Sequence, residues 1–408
     1  MRIIFLNNYY YIRGGSERVF FGEMDMMKRH DHAVAGFARK HSLDLPSEYG
    51  RFFPPDIMTD KISLSWEAVR TIKEILYSIS AKDGLDKLID EFKPDIAHVH
   101  NMYGRLTTSV LDLLSEKEIP TVMTLHDYKL VCPSYKFMFN NRICEDCKGA
   151  QYYKAVKNRC HKGSYLASVV IAIESYFNEW LKKYKKSIKY YISPSFFLKK
   201  KLIDFGWPEN QIKFVKNFLD LSEFDPNYTL GKHFLYLGRL SEEKGIATLI
   251  QAFSKLQNRQ AELLVVGDGP IRKELEYDAR NNHRIRFAGY LSGRSLLEAI
   301  RNSLAVVVPS EWYENAPISI LEAMAYGKPV IGATVGGIPE MIEDGVNGFL
   351  FESGNCSALR VVLDRLAGMD ATEIENMGRA ARKKAERENS TESHYQNLIE
   401  IYQEVLKR

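Results

Sequence analysis

The chain has 408 residues, 45% of them hydrophobic and 26% charged, with a formal net charge of +4. At roughly 100–200 residues per domain, that length calls for two domains, each able to bury its own core. The balance excludes a disordered chain, and so small a net charge excludes nucleic-acid binding driven by overall charge.

The opening run Arg2–Asn7 is short and apolar and meets polar Asn7 and Asn8 at once, which suits a strand and not a signal peptide. Later, Tyr165–Phe177 is the most apolar stretch, but Ser168, Glu174 and Ser175 interrupt it and it is too short to span a bilayer. The expected location is therefore cytoplasmic, where cysteines serve as thiols or metal ligands more readily than as disulfides.

Short apolar runs ending in Gly, Ser, Asn or His recur along the chain. Arg2–Asn7, Asp95–His100, Thr121–His126 and Tyr190–Ser193 come first. Phe234–Gly238, Leu263–Gly267, Arg286–Gly289, Ala305–Pro309 and Val330–Gly332 follow. Runs of this length alternating with helical segments predict parallel strands buried on both faces. Two such series predict two doubly wound, Rossmann-like α/β domains, residues 1–215 and 216–390. The break falls near Lys216–Gly231, which lacks periodicity and carries Pro226 and several Asp. Residues 391–408 carry one apolar stripe (Tyr395, Leu398, Ile399, Tyr402, Val405), a helix expected to pack back on the first domain.

Ligands of open parallel sheets bind at the C-terminal strand ends. That rule selects Gly14-Gly15, His100, His126-Asp127, Arg239, Lys244, Asp268, Tyr290 and Glu311–Glu322. The last stretch is the most informative. Glu314 stands on a loop and Glu322 inside the following helix, about Ile318–Tyr326. A carboxylate in such a helix can accept hydrogen bonds from a ribose diol, and one on the loop from sugar hydroxyls. The backbone N–H groups of Asn315, Ala316 and Ile318, around Pro317, would form a helix N-terminus suited to a diphosphate. Taken alone, two glutamates on an amphipathic helix read as a solvated face.

The surroundings change that reading. Glu314 to Glu322 and the flanking Pro317-Ile318-Ser319-Ile320-Leu321-Glu322-Ala323-Met324-Ala325-Tyr326-Gly327-Lys328-Pro329-Val330 resemble the E-x7-E motif of the retaining glycosyltransferases of family 4. Gly238-Arg239-Leu240-Ser241-Glu242-Glu243-Lys244-Gly245 resembles that family's diphosphate loop. Gly14-Gly15-Ser16-Glu17-Arg18 resembles its glycine loop, and Gly267-Asp268-Gly269-Pro270, Gly289-Tyr290 and Gly336-Gly337 match further loops in order.

The resemblance implies a GT-B architecture of two domains facing a cleft, acceptor side first and donor side second. It implies transfer of a hexose-like unit from a nucleotide diphosphate sugar to a glycan or lipid-linked glycan, as in cell-surface polysaccharide synthesis. The base, UDP or GDP, stays undecided. It assigns Arg239 and Lys244 to the phosphates, where charge develops as the leaving group departs. It assigns His126 to the donor sugar, with Asp127 beside it to orient the ring or meet the acceptor. No Asp-x-Asp pair occurs, so no metal is expected at the diphosphate. An epimerase or hydrolase on the same fold, or a non-catalytic sugar-nucleotide-binding or zinc-dependent interaction subunit, remains an alternative.

Four of the five cysteines fall together: Cys132, Cys144, Cys147 and Cys160, with Cys356 apart. A Cys-x-x-Cys pair flanked by two further cysteines has the spacing of a structural zinc site in an insertion over 132–160. Unrelated reduced thiols or a redox pair fit it too. The stretch Lys154–Lys216 is rich in Lys interleaved with aromatic residues, a pattern for an inner membrane surface or a solvated helix face. No nucleic-acid motif accompanies it.

Overall fold

The structure, a computed structural model, describes residues 1–57, 71 and 73–407. The chain divides into two compact units. The first comprises residues 1–137, 145–215 and the chain from His394 on, and the second comprises 138–144 and 216–393.

The first unit is built on a six-stranded parallel sheet. Its strand order is Ala33–Phe37, Arg2–Leu6, Ile96–Val99, Thr121–Thr124, Tyr190–Ser193, Ile212–Phe214. The inner strands Ile96–Val99, Thr121–Thr124 and Tyr190–Ser193 are buried at every position. Burial on both faces is why these runs are continuously apolar instead of alternating. The winding direction reverses between Arg2–Leu6 and Ile96–Val99, which are hydrogen-bonded neighbours although far apart in sequence. Loops leaving these two strand ends diverge and open a crevice there. The loops carry Asn7, Asn8 and, further on, Gly14-Gly15 from one strand, and His100 and Asn101 from the other.

Helix Gly15–Arg29 follows the first strand and buries Val19, Phe20, Met24, Met26 and Met27. Glu23 lies on the same buried stripe and is fully buried. The closing helix, Thr391–Leu406, buries His394, Leu398, Ile399, Ile401, Tyr402 and Val405. From His394 on it belongs to the first unit, with His394, Tyr395 and Tyr402 reaching Glu23, His32 and His98.

The second unit has its own six-stranded parallel sheet, ordered Ile285–Gly289, Glu262–Val266, His233–Leu237, Ser303–Val308, Val330–Ala333, Gly348–Phe351. Its core joins Phe234, Leu235, Val306, Val307, Ile320 and Ile331. The reversal falls between His233–Leu237 and Ser303–Val308. Their C-terminal ends lead into Gly238-Arg239 and Pro309-Ser310-Glu311, the two segments that the sequence singled out.

Candidate active site

In the second unit, a short 3-10 turn, Glu242–Lys244, lies within the loop Gly238–Gly245. The Glu243 carbonyl accepts the Glu311 N–H at 3.0 Å, and Thr248 Oγ1 donates to Glu311 Oε1 at 2.5 Å. These bonds tie the two loops at the switch point together. Gly245 makes the tie possible. Its φ is +66°, and a Cβ there would stand 1.9 Å from the Pro309 carbonyl oxygen.

Glu314 is the centre of the arrangement. Its Oε1 accepts from Lys244 Nζ at 2.6 Å, Ser310 Oγ at 2.7 Å and Trp312 Nε1 at 2.8 Å. Lys244 Nζ also stands 4.8 Å from the centre of the Trp312 ring. Glu314 is buried. Burial by itself pushes the carboxyl up, but the Lys244 ammonium and these hydrogen bonds outweigh it and hold the carboxyl below its ordinary range. The Glu314 backbone is held as well, since Gly337 N–H donates to its carbonyl at 2.8 Å.

The helix Ile318–Ala325 begins after Pro317, whose own side chain gives its first N–H groups no cap. Asn217 Nδ2 steadies the approach by donating to the Ala316 carbonyl at 3.1 Å. Asn315 and Ile318 are buried, Ala316 and Pro317 half-buried. Glu322, in the second turn, is 2% exposed. Arg239 is exposed, its carbonyl accepting the Tyr236 hydroxyl at 2.8 Å. Tyr290 follows the edge strand, two strands from the switch point, and is 72% exposed. Sequence reasoning treated Lys244 as a point charge for phosphate. The structure pairs it directly with Glu314. Ser310, which it missed, completes the set of donors.

In the first unit, Gly14 and Gly15 lie exposed at the N-terminus of helix Gly15–Arg29. A Cβ on Gly14 would meet only Glu17 Oε2, at 3.8 Å. The fold itself therefore does not require glycine at position 14. What its absence of a side chain provides is access to the helix N-terminus.

His126 is partly buried, with Nε2 2.8 Å from His100 Nδ1 and the two rings stacked at 5.1 Å. Burial keeps the His126 imidazole neutral, pushing it down to about 3. Asp127 is turned to the backbone of its own loop, which leaves the acceptor alternative of the sequence expectation. Its Oδ1 accepts the Lys129 N–H at 2.9 Å, closing a local turn. Burial pushes the Asp127 carboxyl up to about 6 against the pull of Lys129.

Behind His126 lies a buried polar group. Glu23 Oε2 stands 3.2 Å from His98 Nδ1 and 3.3 Å from His100 Nε2, and Oε1 stands 3.1 Å from His394 Nε2. Burial alone would push the Glu23 carboxyl up, but the facing imidazoles hold it well below its ordinary range. Glu23, set between the apolar residues Phe20, Met24 and Met27 of the first helix, is the sequence signal for this group. Its partners come from strands and a helix far along the chain.

Cys132 and Cys147 are buried, Cys144 and Cys160 half-buried. Cys147 lies in a small cluster with Tyr152, Ala155 and Ala172, and Cys160 packs against the same cluster. Cys132 Sγ is 3.3 Å from Ser134 Oγ.

Two doubly wound parallel-sheet units, with polar residues gathered at the switch point of each, are the architecture of the GT-B glycosyltransferases, and solved structures of that class match the chain from end to end. A structure of Anabaena Alr3699/HepE in complex with UDP and glucose covers 99% of this chain and 100% of its own, with TM-score 0.68 and 18% identity. Sucrose-phosphate synthase from Thermosynechococcus elongatus covers 100% of both, with TM-score 0.71 and 16% identity. At such identities the likeness shows the fold.

The chain belongs to glycosyltransferase family 4: residues 13–223, more than half its length, match the model of Glycosyltransferase Family 4, and residues 223–384 match that of Glycosyl transferases group 1. Among curated relatives, the uncharacterized glycosyltransferase MJ1607 of Methanocaldococcus jannaschii is 34% identical over 40% of this chain and 46% of its own. The sulfoquinovosyl transferase SQD2 of Arabidopsis thaliana is 30% identical over 55% of this chain and 48% of its own. The chain thus spans about half the length of the curated relatives it matches.

Proposed function

We propose that this glycosyltransferase moves a hexose-like unit, with retention, from a nucleotide diphosphate sugar to a glycan or lipid-linked glycan. The observation that carries the reading is the buried Glu314 carboxylate, fixed by Lys244, Ser310 and Trp312 four residues before the helix Ile318–Ala325. A preorganised carboxylate can bind sugar hydroxyls, and a helix N-terminus together with Arg239, on the loop leaving the adjacent strand, can take a diphosphate.

In the reaction, the bond from the anomeric carbon to the diphosphate oxygen breaks and its electron pair leaves with the phosphate. The acceptor oxygen bonds the anomeric carbon, and its proton passes to the departing phosphate. In this reading Arg239 and Lys244 act on the leaving group, Glu314 and His126 on the sugar, and Glu322 on the ribose. Gly14, Gly15, Gly238, Tyr290 and Asn315–Ile318 border the donor. UDP is the first base to test, because the Anabaena neighbour was solved with UDP and glucose.

An acceptor carried on lipid suits the helix Tyr165–Trp180, which is inside out. It buries Ser168, Ala172 and Asn178 while exposing Leu166 (76%), Ile173 (53%), Phe177 (42%) and Trp180 (79%) on one stripe. Exposed Lys157, Arg159, Lys182 and Lys186 flank it in sequence. An apolar face with a cationic rim fits the cytoplasmic face of an anionic bilayer. Among the described residues, no helix is long and apolar enough to cross a membrane. The zinc reading of Cys132, Cys144, Cys147 and Cys160 rests on their spacing alone, since among the described residues the group whose ligand atoms converge is Glu23, His98 and His100. Metal analysis of the purified protein with and without Cys147→Ser tests it.

The function is tested by thermal stabilisation across UDP, GDP, ADP, CMP and their common sugars. A ligand at 100 times its Kd adds about 2.7 kcal/mol. A shift for one nucleotide diphosphate, lost in Arg239→Ala, is the expected result. No shift with any of them in a folded sample favours the interaction-subunit reading instead.

A further inference from the structure

His100 lies between a carboxylate and His126, and its two ring nitrogens face different partners. Nε2 faces Glu23 Oε2 at 3.3 Å and Nδ1 faces His126 Nε2 at 2.8 Å. His100 and Glu23 are both wholly buried, among Phe5 and Phe20, so water does not compete for either. Among the described residues neither His100 Nε2 nor Glu23 Oε2 has a hydrogen-bond partner of good geometry, and His98 Nδ1, 3.2 Å from the same oxygen, is engaged by Tyr402 OH, so the facing charge decides the place of the His100 proton. An imidazole lone pair turned toward a carboxylate is repelled, whereas an N–H is attracted.

The carboxylate therefore places a hydrogen on His100 Nε2, which leaves Nδ1 of the neutral ring as an acceptor. The 2.8 Å contact then requires His126 Nε2 to donate. His126 Nδ1 is left carrying a lone pair. We propose that Glu23 and His100 are positioning residues that set the tautomer of His126, so that its Nδ1 accepts a hydrogen bond from a sugar hydroxyl.

This deepens the proposed function and rests on His126 meeting the sugar. Glu23 has additional supports that keep it in place. His394 Nε2 meets its other oxygen at 3.1 Å. His98, on the same strand face as His100, is held by Thr124 Oγ1 at 2.7 Å and Tyr402 OH at 2.6 Å. The ligand atoms of Glu23, His98 and His100 also lie within 4.8 Å of one another, so a bound metal is the competing account of the same residues.

The test uses the full chain with 15N-labelled histidine, His126 assigned by its loss in His126→Asn. Long-range 15N–1H spectra of the wild type are expected to show both His100 and His126 neutral and protonated on Nε2. Glu23→Gln, whose amide can donate or accept, is expected to bring a second His126 tautomer protonated on Nδ1. With the donor that stabilises the protein, kcat should fall about 10–100-fold, the range seen for outer-shell partners of metal-bound histidines. KM should change less than twofold.

Wild-type spectra with His126 protonated on Nδ1, or with His100 an imidazolium, would overturn the relay even if Glu23→Gln failed to fold. So would a His126 signal untouched by Glu23→Gln, or one bound metal ion lost in that variant. If His126→Asn leaves transfer intact while the tautomers stay coupled, it is the sugar-facing role of His126 that fails.

Discussion

The Lys244 ammonium meets the Glu314 carboxylate at 2.6 Å, on the same oxygen that accepts from Ser310 and Trp312. Three donors on one oxygen orient the carboxylate and keep it charged in a site where burial would otherwise favour the neutral acid. Lys244 is about one quarter exposed and Glu314 nearly wholly buried, so the two ends of the pair have unequal stakes. Lys244→Ala is expected to lower stability by about 2–3 kcal/mol in urea unfolding, somewhat below the loss from breaking a fully buried pair. Glu314→Gln should keep the fold and cut kcat by about 100-fold or more, with nucleotide binding in thermal shift retained.

Glycine at 336 secures the same carboxylate from the backbone side. Its φ is +62°, and a Cβ there would lie 2.1 Å from the Glu314 carbonyl oxygen and 2.6 Å from its nitrogen. Gly336→Ala must therefore displace the loop that carries Glu314. A loss of at least about 2 kcal/mol in denaturant unfolding is expected, together with loss of transfer. A Gly336→Ala protein with wild-type stability would contradict this close packing.

Acid should destabilise the first unit through its buried histidines. His98 and His126 are each pushed down to about 3 by burial, below the ordinary imidazole value. Between that value and about 6.5 the unfolded chain binds protons that the folded one refuses, so stability rises with pH through this window and falls as pH drops. At pH 5 each ring costs about 2 kcal/mol relative to pH 7. Asp127 works the other way. Its carboxyl is pushed up to about 6, so the folded state holds that proton more tightly and regains about 1 kcal/mol at pH 5. A net fall in Tm from pH 7 to 5 is expected, with a shallower slope in His126→Asn.

The outward stripe of helix Tyr165–Trp180 leads to a vesicle experiment. Replacing Leu166 and Trp180 together by Ser should weaken sedimentation with phosphatidylglycerol vesicles at least tenfold. Each bulky side chain carries about 1.5–3 kcal/mol when fully buried in an apolar phase. Binding should also fall as salt rises, because the lysines flanking the helix contribute through screened charge. Equal binding by the double variant would remove the bilayer as the partner of this face. The changes should leave folding unaltered, since both side chains are largely exposed.

Much of this protein was determined by local sequence. Continuous apolar runs such as Phe234–Leu237 and Ala305–Val308 read as strands covered on both faces, because Gly238 and Pro309 end them at a length too short for a buried helix. The strand-end rule then pointed to Arg239, Lys244, Glu314 and His126 without any coordinates.

Tertiary structure alone decided how those groups pair. Lys244 and Glu314 are 70 residues apart, and nothing in either loop states that one will neutralise the other. Asp127, next to His126 in sequence, turned instead to the Lys129 backbone, while His100 took the ring from a neighbouring strand. Glu23 is the sharpest case. Its position on an apolar stripe shows that it must be buried, and burying a carboxylate demands donors. Those donors, His98, His100 and His394, come from a strand some 75 residues on and a helix 371 residues on. Periodicity reports which side of an element faces the core, but the partner across the core is set by how the sheet is wound.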